Sequence, residues 1–182
     1  MWEHEIIEYK NYLKLERSLS DNSVSAYVND INKLTSFLKL NHKETIEYSN
    51  IDSNIIQEFV EYLYNLGISS YSQARIISGI KSFFNYLIIE EKIKINPTEL
   101  IESPKLDKKL PDTLNIDDIE NILKSIDLNS FEGVRNRAII ETLYSCGLRV
   151  SELINISYQN LFLDIGFIKV LGKASKESLV PI

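Results

Sequence analysis

Arg149 lies in the run Cys146-Gly-Leu-Arg-Val-Ser-Glu-Leu153, and Lys173 follows 24 positions later (173 minus 149) in Leu171-Gly-Lys-Ala-Ser-Lys-Glu-Ser-Leu-Val-Pro-Ile182. An arginine at a helix entrance followed by a lysine at a strand turn can hold and then protonate a phosphodiester. Gly147 can end one helix and Val150-Ser-Glu-Leu153 can begin the next, which sets the guanidinium beside free backbone N–H groups, an anion site. Arginine binds phosphate oxygens bidentately and keeps its proton, so it suits charge stabilisation in a transition state. Lys173, just after Gly172, is a flexible ammonium able to give a proton to a departing alkoxide, the general-acid role. Taken singly, each has a plainer reading: Arg149 in a surface ion pair with Glu152, and Lys173 as a solvated turn lysine. The Gly-Lys pair is not a nucleotide-binding P-loop, because the glycine required five positions earlier is Phe167 and Ala174 follows the lysine.

A second group lies earlier in the chain. Arg75, Ser78, Lys81 and Ser82 gather on the polar side of one predicted helix, with no acid between Arg75 and Glu90. Such a face can touch phosphates or groove edges, and reads equally as a solvated helix surface. Lys105, Lys108 and Lys109 can follow a nucleic-acid backbone from a linker. Cys146 reads as a small packed side chain. His4 and His42 fit no ligand set, so no metal site and no cofactor are predicted.

The elements that must position these residues follow from apolar periodicity. Four helices fill the first hundred residues. Ile6, Tyr9 and Leu13 mark the first face; Val24, Tyr27, Val28, Ile31, Leu34 and Leu38 mark the second, with Ser20 as N-cap. Ile56, Phe59, Val60, Leu63 and Leu66 mark the third, entered at Asp52 or Ser53 and closed by Gly67. Ile76, Ile77, Ile80, Phe83, Phe84 and Leu87 mark the fourth, entered through a capping box in Ser70-Tyr-Ser-Gln73. These stripes have the 3.6-residue period of helices that bury one face in a small bundle. Asn96-Pro97 ends the region, and residues 104–111, with two prolines and three lysines, read as an extended linker. Beyond it come a helix capped by Asn115 with Ile119, Leu123 and Ile126 inward, another from Phe131 to Cys146, and a short one from Val150. Phe167–Leu171 and Ser178–Ile182 read as a β-hairpin. The expected organisation is a helical domain over 1–103, the linker, and an α/β segment over 112–182. A lone hairpin is marginal, so the chain reads as a C-terminal truncation of a longer domain.

Composition sets outer limits. The 182 residues are 44% hydrophobic and 25% charged, ordinary for a globular chain, and no apolar run approaches the roughly 20 residues that cross a bilayer. The acidic start, Met1-Trp-Glu-His-Glu5, has no signal-peptide pattern, and one cysteine fits a reducing compartment, so a cytoplasmic location is expected. The net charge of −6 argues against nucleic acid as a partner. Its distribution softens this: residues 129–182 carry 6 basic and 5 acidic side chains, whereas residues 1–128 carry 14 and 21.

Taken jointly, Arg135-Asn-Arg-Ala-Ile-Ile-Glu-Thr-Leu-Tyr-Ser-Cys146 running into the Arg149 motif, and the stretch Gly172–Ile182, closely resemble the tyrosine recombinase (phage integrase) family. Asn22-Ser-Val-Ser-Ala-Tyr-Val-Asn-Asp30 and Ala74-Arg-Ile-Ile-Ser-Gly-Ile-Lys-Ser-Phe-Phe-Asn-Tyr-Leu87 resemble its core-binding domain. The resemblance covers essentially the whole chain and is closest to the Xer branch. It implies a mainly α fold: a four-helix SAM-like core-binding bundle, then the N-terminal part of a mixed α/β catalytic domain with a β-hairpin.

By that resemblance Arg149 would hold the scissile phosphate, Glu152 would support the site and Lys173 would protonate the leaving 5′ oxygen. Arg75, Ser78, Lys81 and Lys105 are the candidate DNA contacts outside those motifs. The family's tyrosine attacks the phosphate and forms a 3′-phosphotyrosyl link that keeps the energy of the broken bond, without metal or nucleotide. Its partners are a double-stranded DNA recombination site and further recombinase subunits, four on the DNA, with no membrane involved. The Xer resemblance implies chromosome-dimer resolution, hence chromosome partition and cell division; a phage or mobile-element integrase is the alternative. The family often has glycine at Ala174 and arginine at Ser178. Its second arginine, its later histidine and its nucleophilic tyrosine are expected beyond residue 182, and Tyr144 and Tyr158 read as packing residues. The fragment is therefore expected to bind DNA weakly and not to cut it. Two rivals stand beside this reading: a DNA-binding regulator that occupies such sites without cutting, and a helical scaffold in which Arg149 and Lys173 do nothing.

Overall fold

The computed structural model describes residues 2–41, 45–106, 110–172 and 176–182. The chain divides into two compact units, residues 1–108 and 109–182. It is mainly helical, with one small antiparallel sheet in the second unit. Among the described residues no helix is long and apolar enough to cross a membrane.

In unit 1, α1 (Glu3–Asn11) runs into a π-helical turn (Tyr12–Glu16) that periodicity does not reveal. Helix α2 (Asp21–Leu40) starts where the Ser20 hydroxyl accepts the Ser23 N–H at 3.3 Å. Helix α3 (Ser53–Asn65) starts where Asp52 accepts from Ile55 at 2.9 Å. Helix α4 (Ser70–Ile89) is capped by Ser69. The helix thus begins one residue earlier than the predicted capping box requires, and Gln73 falls at the fourth position instead of the third. Its amide is buried and donates to the Ile68 carbonyl at 2.7 Å, so that box does not form. The predicted stripes otherwise meet in one core, joined by Trp2, Phe37, Ile51 and Ile101. Val28, half-buried, and Leu66 fall outside that core; Leu66, the C-cap of α3, sits past the buried stripe and is exposed.

In unit 2, α5 (Ile116–Lys124) begins in a reciprocal box, with Asp118 N–H donating to the Asn115 side chain and Asn115 N–H to the Asp118 carboxylate. Helix α6 (Phe131–Cys146) starts at the Ser130 cap and stops at Gly147, whose φ of 61° suits a residue without a Cβ. Helix α7 (Val150–Ile154) follows α6 after three intervening residues. The sheet has three strands, β1 (Leu161–Phe162), β2 (Phe167–Leu171) and β3 (Glu177–Pro181), paired antiparallel in that order. Sequence analysis expects only β2 and β3, because two residues are too short to display the two-residue strand period. Ile168 and Val170 alternate inward from β2. Tyr144 and Tyr158 are not packing residues: Tyr158 projects from a three-residue 3₁₀ turn and is 89% exposed, and Tyr144 lies on an open edge of α6, half exposed.

Candidate active site and nucleic-acid interface

Arg149 is the N-cap residue of α7, in extended backbone conformation. A guanidinium has no acceptor, so it cannot cap the helix as serine would. Glu152 supplies half of a capping box instead. Its Oε2 accepts the Arg149 backbone N–H at 2.8 Å, and its Oε1 accepts from the Arg149 guanidinium at 2.7 Å. These two bonds, the backbone one first, hold the Glu152 carboxyl below its ordinary value. Glu152 is buried, whereas the Arg149 side chain is 75% exposed. The carboxylate therefore anchors the arginine from inside and leaves most of its donor fork facing outward. The ion pair that sequence analysis sets against a phosphate role is present, and its geometry is compatible with that role.

Glu152 also touches the hairpin. A Cβ added to Gly172 would lie 3.4 Å from Glu152 Oε1 and 3.4 Å from the Lys176 carbonyl oxygen. The Gly172 N–H closes the β2–β3 turn by donating to that same carbonyl at 2.8 Å. Lys173 lies outside the described residues. One buried carboxylate thus holds Arg149 and lies near Gly172. Ser178, opposite Val170 in the β2–β3 register, is exposed.

On unit 1, three of the four residues predicted for the α4 face, Ser78, Lys81 and Ser82, line one concave surface of about 280 Å³ with Arg17, Tyr27 and Asn85; Ser78 is exposed and Lys81 half-buried. Ser82 turns toward α1 and accepts a hydrogen bond from the Tyr9 hydroxyl at 2.8 Å. Arg75 is half-exposed and donates to Asp30 of α2 at 2.6 Å. Lys105 is exposed in the segment that follows the bundle.

Residues 6–91 match the model described as phage integrase, N-terminal SAM-like domain, and residues 112–182 match that of the phage integrase family. The chain belongs to the phage integrase family. It is 42% identical over 177 residues to Tyrosine recombinase XerD of Staphylococcus aureus, covering 97% of this chain and 59% of that protein. The XerD of Staphylococcus epidermidis is 41% identical over the same span. The chain thus spans about three-fifths of the length of these curated relatives. Among solved structures, a lambda integrase(75-356) dimer bound to a COC' core site matches 98% of this chain and 61% of its own, at 17% identity and a TM-score of 0.74. A XerH site-specific recombinase bound to palindromic difH substrate matches 90% of this chain and 49% of its own, at 22% identity and 0.68. At those identities the likeness is one of fold.

Within the phage integrase frame, sequence reasoning missed three residues on unit 1: Asp30, Lys33 and Arg17. Asp30 looks like one more polar residue on a helix whose other face carries the core. Only the packing of α2 on α4 shows that it is buried. Lys33, one turn on, reaches the same carboxylate at 3.3 Å. Arg17 is the C-cap of the π-helical turn and lines the same concave surface as Ser78 and Lys81. Lys33 and Arg17 lie in no motif, and Asp30 closes the Asn22–Asp30 stretch without a chemical role being legible there.

Proposed function

We propose that this chain is the DNA-engaging part of a site-specific recombinase that cuts and rejoins DNA through a 3′-phosphotyrosyl intermediate. The observation that carries the reading is Glu152, which bonds Arg149 twice and lies beside Gly172, so that the residue matching the family's phosphate-holding arginine is fixed next to the hairpin. Arg149 offers outward N–H groups to the non-bridging oxygens of a phosphate. As the tyrosine oxygen attacks phosphorus, the bond to the 5′ oxygen breaks and that oxygen takes a proton from Lys173. Ser78, Lys81 and Lys105, with Arg75, contact the duplex from unit 1. The partners are double-stranded DNA and further recombinase subunits, four on the DNA, and the location is the cytoplasm. Similarity to the XerD proteins supports chromosome-dimer resolution as the physiological task.

No tyrosine among residues 1–182 matches the family's nucleophile. These residues by themselves are therefore expected to bind DNA and not to cleave it. The test is fluorescence anisotropy of a labelled DNA duplex across a salt series. The affinity should fall linearly on a log–log plot, with a slope of about −0.9 per phosphate neutralised. Lys81→Ala and Arg149→Ala should each flatten it by about one contact. Affinity indifferent to salt would falsify DNA engagement and leave a helical scaffold. Covalent trapping of residues 1–182 on a nicked suicide duplex would overturn the division between binding and cutting.

A further inference from the structure

We propose that Asp30 is a positioning residue for DNA binding, a buried carboxylate that holds Arg75 and Lys33 in one fixed presentation on the surface of unit 1. This rests on the reading of unit 1 as a DNA-binding unit. Asp30 is 1% exposed, while the side chains of Arg75 and Lys33 are 50% and 44% exposed, and both cations reach the same oxygen, Oδ1. The acid is thus inside and its two partners stand at the surface. Packing alone does not explain an ionisable group there. An apolar side chain would join α2 to α4 without the cost of desolvating a charge, a cost that pushes the Asp30 carboxyl up against the pull of Arg75 and Lys33.

Helix α4 is shaped to receive this group. A Cβ on Gly79 would lie 2.4 Å from Asp30 Oδ2 and 2.8 Å from Asp30 Cβ, so the carboxylate occupies the space a side chain would take. Arg75 and Gly79 are one helical turn apart on α4, so the pocket and the guanidinium that closes it belong to the same face. Ser78 lies between them in sequence, and Lys81 lies a further turn along. A free arginine samples many rotamers and loses that freedom when it meets a phosphate; one already held by Asp30 loses less. Two cations and one anion leave a net charge of +1 at this spot, so the group still attracts a phosphate.

The experiment measures affinity and salt slope of the 182-residue chain for a short mixed-sequence duplex, comparing wild type with Asp30→Asn, Arg75→Ala, Arg75→Lys, Lys81→Ala and the double variant Asp30→Asn/Arg75→Ala. Simple electrostatics predicts that removing the Asp30 charge tightens binding. Positioning predicts the opposite sign: about tenfold weaker binding and a salt slope flatter by about one unit, with no further loss when Arg75→Ala is added. Tighter or unchanged binding by a folded Asp30→Asn protein, or additive losses in the double variant, overturns the proposal. Should Asp30→Asn fail to fold, Arg75→Lys decides: it keeps the charge and loses the planar fork, so binding as tight as wild type overturns the proposal and clear weakening supports it. If neither Lys81→Ala nor Arg75→Ala alters binding, the DNA-binding reading of this face fails instead.

Discussion

Unit 1 holds Arg75 with a carboxylate 45 positions away, on another helix and beneath the surface. Unit 2 holds Arg149 with a carboxylate three positions away, on the same five-residue helix. The first pair exists only if α2 and α4 pack, and the core that packs them is extensive, with twenty buried apolar side chains. The second needs little more than the first turn of α7 and the edge of β2, and the described residues of unit 2 bury only Ile119, Ile168 and Val170 as apolar side chains. A tertiary ion pair inherits its geometry from a core, whereas a local one carries its geometry in the chain. Both kinds of arginine holder occur in this one chain.

The sharpest way to break this comparison is to damage the core of unit 1 alone. Leu34 is fully buried in α2, and Leu34→Ala should cost about 2–5 kcal/mol. Trp2 is the single tryptophan of the chain and packs against Phe83 at 6.1 Å, so its fluorescence reports on unit 1. In urea its transition should move to much lower concentration, while amide exchange of the β2–β3 pairs stays at the wild-type rate. A common shift of both probes would show that the two units unfold together and that the contrast is empty.

A smaller effect separates the two glycines that touch the carboxylates. Gly79→Ala drives a methyl group into Asp30, and overpacking of this kind costs about 1–3 kcal/mol, partly offset by alanine's better helix propensity. Removing the obstacle with Asp30→Gly in the same chain should recover part of that loss. Gly172→Ala meets Glu152 and the Lys176 carbonyl only at 3.4 Å, the distance of an ordinary contact, and should change stability by no more than about 0.5 kcal/mol. Equal effects at the two positions would mean that α4 yields to Asp30 as easily as the hairpin yields to Glu152.

The same contrast explains what was legible beforehand. The helices of unit 1 were, because their stripes repeat at a helical period and Ser20 and Asp52 are cap residues in sequence as in structure. Arg149 and Glu152 were, since a three-residue spacing at a helix start is itself a contact. Asp30–Arg75 was not: nothing in either segment tells that the acid faces inward, and the absence of an acid between Arg75 and Glu90 speaks only of α4, not of α2 packed across it. Ser82 went the same way, its hydroxyl committed to Tyr9 across the bundle. Strand β1 and the π-helical turn escaped because a two-residue strand and one extra residue in a turn leave no periodic trace.

The finest test is pH, because the two carboxylates are pushed in opposite directions. Glu152 accepts a backbone N–H and a guanidinium, which hold it below its ordinary 4.5, so its contribution to stability is complete above that value and is lost as pH falls through the lower, folded one. Burial raises Asp30 above its ordinary 3.8 in spite of Arg75 and Lys33, so the folded state binds this proton more tightly than the unfolded chain does. Its contribution is therefore fully present below 3.8 and is lost as pH rises through the folded value. Carbon-13 side-chain carboxyl shifts followed from neutral to acid pH should show Asp30 titrating above 3.8 and Glu152 below 4.5. In urea unfolding, Glu152→Gln should remove the Glu152 share of the acid-side loss, and Asp30→Asn should remove the opposing contribution of Asp30. Were Asp30 to titrate below 3.8, the cations would outweigh its burial, and unit 1 would hold its arginine as unit 2 does, by an acid that is at ease in its ionised form.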